Sequence, residues 1–208
     1  MKAVVETERS YYKYDYKTWE SPLLNENGSA GTSEFAVWGS HNQYSGQTWR
    51  AFHTSSGYAS GYYVGNYGNE YSTTMSIFMH TLNPTLITSY SLYSPTINSN
   101  SNWGSISSTR FYGSNNGENW EQLYSTGNFG QDSQQTFSFD NKNYYNYYQF
   151  QMTTYGSGHR DQSNISSFSI RGTKREISIG TETNFDFFVD HQKFKAVYDK
   201  GIYKAFNY

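Results

Sequence analysis

Along most of this chain apolar and polar residues alternate with a period of two, and the long aliphatic stripes of amphipathic helices are missing. Tyr12, Tyr14 and Tyr16 fall on one side of an N-terminal run, with Lys13, Asp15 and Lys17 on the other, which predicts a strand with one adhesive face. MSIFMH sets Met75, Ile77 and Met79 on one face, and ITSYSL sets Thr88, Tyr90 and Leu92 on another. QTFSFD contributes Phe137 and Phe139. YYQFQM opposes Tyr148, Phe150 and Met152 to Tyr147, Gln149 and Gln151, and ISSFSIRG adds Phe168 and Ile170. Short alternating strands separated by Gly, Ser, Asn and Pro predict an antiparallel β-sandwich or barrel, not a parallel α/β sheet.

Changes in this pattern predict three regions. Residues 1–24 form an N-terminal arm, and NENGSAGTSE at 25–34 reads as a loop that opens a main domain over 25–175. From 176 to 208 the pattern shifts to FFVDHQKFKAVYDKGIYKAF, a β-meander of three very short strands with turns at Asp190–Gln192 and Asp199–Gly201. Within the main domain, FYGSNNGENWEQLY at Phe111–Tyr124 predicts a hairpin. Asn116-Gly117 turns the chain, and Phe111, Trp120 and Leu123 pack inward.

Composition narrows the function. Phe, Trp and Tyr make up 20% of 208 residues against 35% hydrophobic residues in all, so aromatics must supply most of the core and much of the surface. A net charge of −2 with 15% charged residues leaves no basic face for phosphate, so nucleic acid is not an expected partner. With no Cys there are neither disulfides nor thiolate metal sites. No apolar run has the form of an export signal or a membrane span, so no membrane partner is expected. Tyr-, Asn-, Ser- and Gly-rich surfaces are those of carbohydrate binders and paratopes. Joined to a chain without an export signal, such a surface suits a protein made in a host cytoplasm and released by lysis.

Five segments together, AFH at 51–53, ITSYSL at 87–92, FYGSNNGENWEQL at 111–123, NYYQFQM at 146–152 and ISSFSIRG at 165–172, resemble the discoidin (coagulation-factor type C) family over about residues 35–173. The most specific element is the hairpin, which resembles that family's Gly-Ser-Asn-Asp-Gly-x-x-Trp, with Asn116 where Asp is usual. The resemblance implies an all-β, jelly-roll β-sandwich of the galactose-binding-like type, here with short β extensions at both termini, that binds ligands through loops at one end. It also implies two acids that help hold a structural calcium. Here the first position is His53, after Ala51 and Phe52, and the second falls at Ser166 and Ser167. With both carboxylates lost, no metal is expected, nor any cofactor. The basic residue common in galactoside-binding relatives is missing near Tyr93, Ser94 and Pro95.

Four loops form the expected binding end: Trp38–Thr48, Thr54–Gly65, Ser94–Trp103 and Thr153–Asn164. Sugars stack their apolar faces on rings and bond their hydroxyls to amides, His and Arg. Tyr58, Tyr62, Trp103 and Tyr155 are the candidate platforms, and His41, His53, His159 and Arg160 the candidate polar readers. Taken singly, each aromatic is more simply a half-packed residue of a Tyr-rich surface, and His53 a ring that satisfies backbone carbonyls. No His-Glu-x-x-His, nucleophile elbow or phosphate-binding Gly loop occurs, and Glu118, Asp132 and Asp140 sit in turn-like contexts, so no enzyme is expected.

The expected function is a virion protein of a tailed bacteriophage, displayed on tail, fibre or capsid and binding host surface glycans. The ending FFVDHQKFKAVYDKGIYKAF resembles short terminal segments of phage structural proteins. Its expected partners are other virion proteins, a bacterial surface glycan and a second copy of itself. Two alternatives stand beside it: a purely structural decoration or cementing protein, and an excised carbohydrate-binding module of a bacterial enzyme.

Overall fold

The structure, a computed structural model, describes residues 3–24, 32–40, 45–53, 63–64, 74–94, 106–127, 129, 133–154, 164–189, 192–199 and 202–207, in some segments by their backbone alone. The chain divides into two compact units, Lys17–Arg175 and Met1–Tyr16 together with Glu176–Tyr208.

The larger unit is an antiparallel β-sandwich. In one layer the order is β2 (Phe35–Gly39), β4 (Thr74–Tyr93), β8 (Tyr145–Thr154), β5 (Ile106–Ser114) and β6 (Glu121–Thr126). In the other, the second half of β4 lies between β7 (Gln134–Ser138) and β9 (Asn164–Val189), and β3 (Tyr63–Val64) adds to β9. The segments MSIFMH and ITSYSL, expected as separate strands, are thus halves of one 20-residue strand. Its register breaks between His80 and Thr85, where Pro84 has no N–H to give a ladder. The Asn146 amide bridges the break, donating to the carbonyls of Thr81 at 2.9 Å and Leu82 at 3.3 Å.

The core follows from the alternation. Met75, Ile77 and Met79 of β4, Tyr148, Phe150 and Met152 of β8, and Phe168 and Ile170 of β9 are all buried. Phe150 and Phe168, from opposite layers, meet with ring centroids 4.7 Å apart, and Tyr90 packs on Phe111 at 5.6 Å. Two inward assignments change. Thr88 was expected beside Tyr90 and Leu92, but a register shift between Ile87 and Ser89 gives the core position to Ile87 and leaves Thr88 half-buried. At this bulge β9 comes so close that a Cβ on Gly172 would lie 1.9 Å from the Leu86 carbonyl oxygen. The buried Asn141 side chain caps the Ile87 carbonyl at 3.0 Å.

The second change concerns Trp120. Phe111 is fully buried and Leu123 packs against the core, but Trp120 lies half-buried against Phe78, centroids 5.9 Å apart. Phe78 itself alternates with the buried Ile77 and Met79 and stands on the outer face, stacked on Trp38 at 5.7 Å. The β5–β6 register shifts here, with Phe111 opposite Tyr124 and Tyr112 opposite Gln122, so Leu123 is an extra residue. Alternation therefore does not carry from the core-packed Leu123 and Tyr124 back to Trp120, which precedes the strand.

In the smaller unit, β10 (Gln192–Asp199) lies between β9 and β11 (Ile202–Asn207), all antiparallel, and β1 (Ala3–Glu20) pairs with β9. β9 ends at Val189, β10 spans Gln192–Asp199 and β11 begins at Ile202; residues 190–191 and 200–201, where turns are expected, lie outside the described residues. The first strand of this meander is not a short separate element, however, because β9 runs unbroken for 26 residues. The Tyr11 ring lies over Gly180, where a Cβ would come within 2.6 Å of it. Tyr12, Tyr14, Tyr16, Ile177 and Ile179 are exposed, and Lys13 and Asp15 form an ion pair at 3.2 Å.

Candidate functional site

Strand register brings together the residues that bracket the expected binding loops. Thr74 pairs with Thr153, and Ile106 with Thr154, so β4 begins, β5 begins and β8 ends at the same end of one layer. Ser40, just past β2, is tied to Ser76 by the Ser40 amide on the Ser76 carbonyl and the Ser76 amide on Ser40 Oγ, both at 3.0 Å. In the facing layer Tyr93 pairs with Ser166, and Tyr63 with Ile165. The brackets of all four segments therefore lie at one end of the sandwich, on strands that a shared aromatic core fixes in place.

His53 is the one candidate site residue within the described part of the chain; His41, Tyr58, Tyr62, Trp103, Tyr155, His159 and Arg160 lie outside it. It follows the 3-10 helix Ser45–Phe52, whose Ala51 and Phe52 anchor the segment in the core. The His53 amide donates to the Arg50 carbonyl at 3.3 Å, its carbonyl accepts the Ser167 amide at 3.1 Å, and its ring meets Trp49 edge-on at 6.0 Å. The two positions that the resemblance assigns to calcium-holding acids thus touch through their backbones. Ser167 adopts a positive φ of 49°, uncommon for a residue with a side chain, and this aims its N–H at His53. Beside it the buried hydroxyls of Ser166 and Ser94 have no hydrogen-bond partner among the described residues.

These groups do not fit a calcium ion, which takes six to eight hard oxygens and favours carboxylates. An imidazole and neutral hydroxyls stand at the positions in question, and among the described residues no three of His, Cys, Asp and Glu cluster.

A second concavity lies at the far end of the same layer, at the β5–β6 hairpin. Its turn is closed by its own side chains. Ser114 Oγ accepts the amides of Asn116 at 3.3 Å and Gly117 at 3.0 Å, while Asn116 Oδ1 accepts those of Glu118 at 3.0 Å and Asn119 at 2.9 Å. Gly117 has φ +73°, the left-handed conformation that glycine adopts without strain. Next to the turn is a cavity of about 610 Å³ lined by Asn115, Glu118, Asn119, Trp120, Glu121 and Tyr145 among others. The Tyr145 hydroxyl donates to Glu121 Oε2 at 2.5 Å and accepts from Asn143 at 3.2 Å. Burial, then the bond to Glu121, raises the Tyr145 phenol above its ordinary pKa, so it stays a proton donor to that carboxylate. Sequence reasoning took this hairpin as scaffold, and no residue type marks the register shift at Leu123 that separates Trp120 from the inward positions.

No protein-family model matches the chain, and no curated protein does. Among solved structures the chain is similar to CBM32-3 from a family 31 glycoside hydrolase from Clostridium perfringens, CBM being a carbohydrate-binding module (TM-score 0.52, 13% identity, 72% of this chain and 99% of that one). It is also similar to CpGH89CBM32-5 from C. perfringens in complex with GalNAc-β-1,3-galactose (TM-score 0.51, 12% identity, 65% and 94%). A third is the family 32 CBM from C. perfringens NanJ in complex with galactose (TM-score 0.51, 13% identity, 74% and 99%). What is shared at this identity is the fold, the galactose-binding-like β-sandwich that the resemblance implies.

Proposed function

We propose that this protein is a non-enzymatic glycan-binding module that captures sugars with the loop end of its sandwich. The observation that carries this reading is the convergence of the brackets of four segments, rich in Tyr, Asn, Ser and Gly, on one end of a galactose-binding-like fold. Tyr58, Tyr62, Trp103 and Tyr155 serve as stacking platforms there, and His41, His53, His159 and Arg160 read hydroxyls. The solved structures named above include modules complexed with sugars, which supports this reading over that of a purely structural decoration.

A glycan array probed with the full chain tests it. Saturable binding to a defined set of glycans is expected, and Trp103→Ala or Tyr155→Ala should weaken it by about 1 to 2 kcal/mol each without unfolding the protein. No binding to any glycan, or unchanged affinity in both variants, contradicts it.

The second reading places the module in a tailed-phage virion, made in the host cytoplasm and released by lysis, with the smaller unit as its attachment to a neighbour or a second copy. The exposure of Tyr12, Tyr14, Tyr16, Ile177 and Ile179 favours it, because exposed strands rich in aromatics accept partners. Purified particles that contain the wild-type chain but exclude one carrying Tyr12→Ser, Tyr14→Ser and Ile179→Ser are the expected result; particles without the wild-type chain refute it.

A further inference from the structure

We propose that the hairpin cavity is a second glycan-binding site, at the end of the sandwich away from the loops, and that it takes sugars bearing a free amino group. The ligand class rests on the glycan-binding reading above; the site and its charge preference rest on the cavity alone.

At about 610 Å³ the cavity lies within the ordinary range for small-ligand sites. One wall is the Trp120 indole, held against Phe78, which in turn stacks on Trp38 with planes 14° apart. A ring fixed in this way gives a stacking surface at little entropic cost. The turn beneath is built from Ser114 and Asn116, whose oxygens are occupied by backbone amides, so its geometry is set before a ligand arrives. Asn115, Asn119 and Glu118 complete the lining, all exposed.

Charge selects the ligand. The lining holds two carboxylates, Glu118 and Glu121, and no cation, and neither makes an ion pair among the described residues. The smaller cavity of about 370 Å³ at Trp19 and Phe35 also holds two glutamates, but there Glu20 is bridged to Arg171 at 2.9 Å and Glu34 to Lys174 at 3.3 Å. Of these two cavities it is the hairpin one that combines an ordered indole with carboxylates that make no ion pair among the described residues. An ammonium group answers both, pairing with the carboxylates and lying over the indole face, while the sugar's C–H face stacks. A uronic acid is repelled.

Calorimetric titration of the full chain with a glucosamine oligomer, an N-acetylglucosamine oligomer and an oligogalacturonate of equal length tests this. The glucosamine oligomer should bind at least tenfold tighter than the acetylated one, the uronate should not bind, and raising salt should weaken the glucosamine complex. Glu118→Gln with Glu121→Gln should abolish that tenfold preference, with thermal unfolding unchanged to show that the hairpin is intact. Trp120→Phe should retain most of the affinity and Trp120→Ala lose it. Trp103→Ala with Tyr155→Ala should leave the glucosamine titration unchanged. Equal affinity for the two oligomers, indifference to the double glutamine variant, or loss on changing Trp103 and Tyr155 would each overturn the proposal. A chain that binds neutral array glycans but shows no amino-sugar preference sinks this site alone. A chain that binds only glucosamine, through Glu118 and Glu121, sinks the loop-end reading alone.

Discussion

β8 of the sandwich and β1 of the terminal unit carry the same sequence rhythm and end in opposite environments. In β8, Tyr148, Phe150 and Met152 alternate with Tyr147, Gln149 and Gln151, and the first set is 0% exposed. In β1, Tyr12, Tyr14 and Tyr16 alternate with Lys13, Asp15 and Lys17, and the tyrosines are 70%, 48% and 59% exposed. Alternation specifies a strand with two unlike faces; burial of one face requires a second layer, which the sandwich supplies to β8 through Phe168 and Tyr90. The β1 tyrosines stand at the surface instead.

The comparison breaks if the two sets of aromatics contribute alike to stability. Phe150→Ala should cost about 3 to 5 kcal/mol, because its ring is enclosed by rings of both layers and leaves a cavity. Denaturant unfolding measures it, and a loss below 1 kcal/mol would mean that the layers repack freely. The close approach of β9 to β4 should show next. Gly172→Ala forces a methyl onto the Leu86 carbonyl and should cost about 1 to 3 kcal/mol by overpacking.

Titration sharpens the contrast. Burial raises the phenols of Tyr90 and Tyr148 far above their ordinary pKa, so the folded state holds those protons more tightly than the unfolded state does. Their contribution is fully present below about pH 10 and is lost as pH rises above it, at roughly 1.4 kcal/mol per pH unit for each. Tyr90→Phe should reduce that alkaline slope, read from urea midpoints between pH 9 and 12; an unchanged slope contradicts the burial account. Tyr14→Ser, at the exposed end of the comparison, should change stability by no more than about 0.5 kcal/mol.

Much of the fold was legible because the core strands keep a strict period of two. Met75, Ile77, Met79, Tyr148, Phe150, Met152, Phe168 and Ile170 are all buried as their alternation predicts. The failures fall where the period slips by one. At the Ile87 bulge the core position moves off Thr88, and at the hairpin a second shift leaves Leu123 without a register partner, so alternation does not carry from Tyr124 to Trp120. Neither slip is written in residue types, since Ile, Thr and Ser all suit a strand. The long β4 and β9 were missed for a related reason: Pro84 reads as a break but sits at a bend that side chains of Asn146 repair. At the loop end, the Ala51-Phe52-His53 and Ser166-Ser167 segments were visible as separate matches. Their meeting through the His53 carbonyl depends on tertiary pairing between segments more than a hundred residues apart.

The central claim is that neutral glycans bind at the loop end. The chain has five tryptophans, Trp19, Trp38, Trp49, Trp103 and Trp120, whose indole N–H signals report separately on different parts of the surface. Titrating the full isotope-labelled chain with the tightest neutral glycan from the array, the account predicts a saturable shift of the Trp103 signal while those of Trp19 and Trp120 stay in place. A saturable shift confined to Trp120, with Trp103 unmoved, would contradict it.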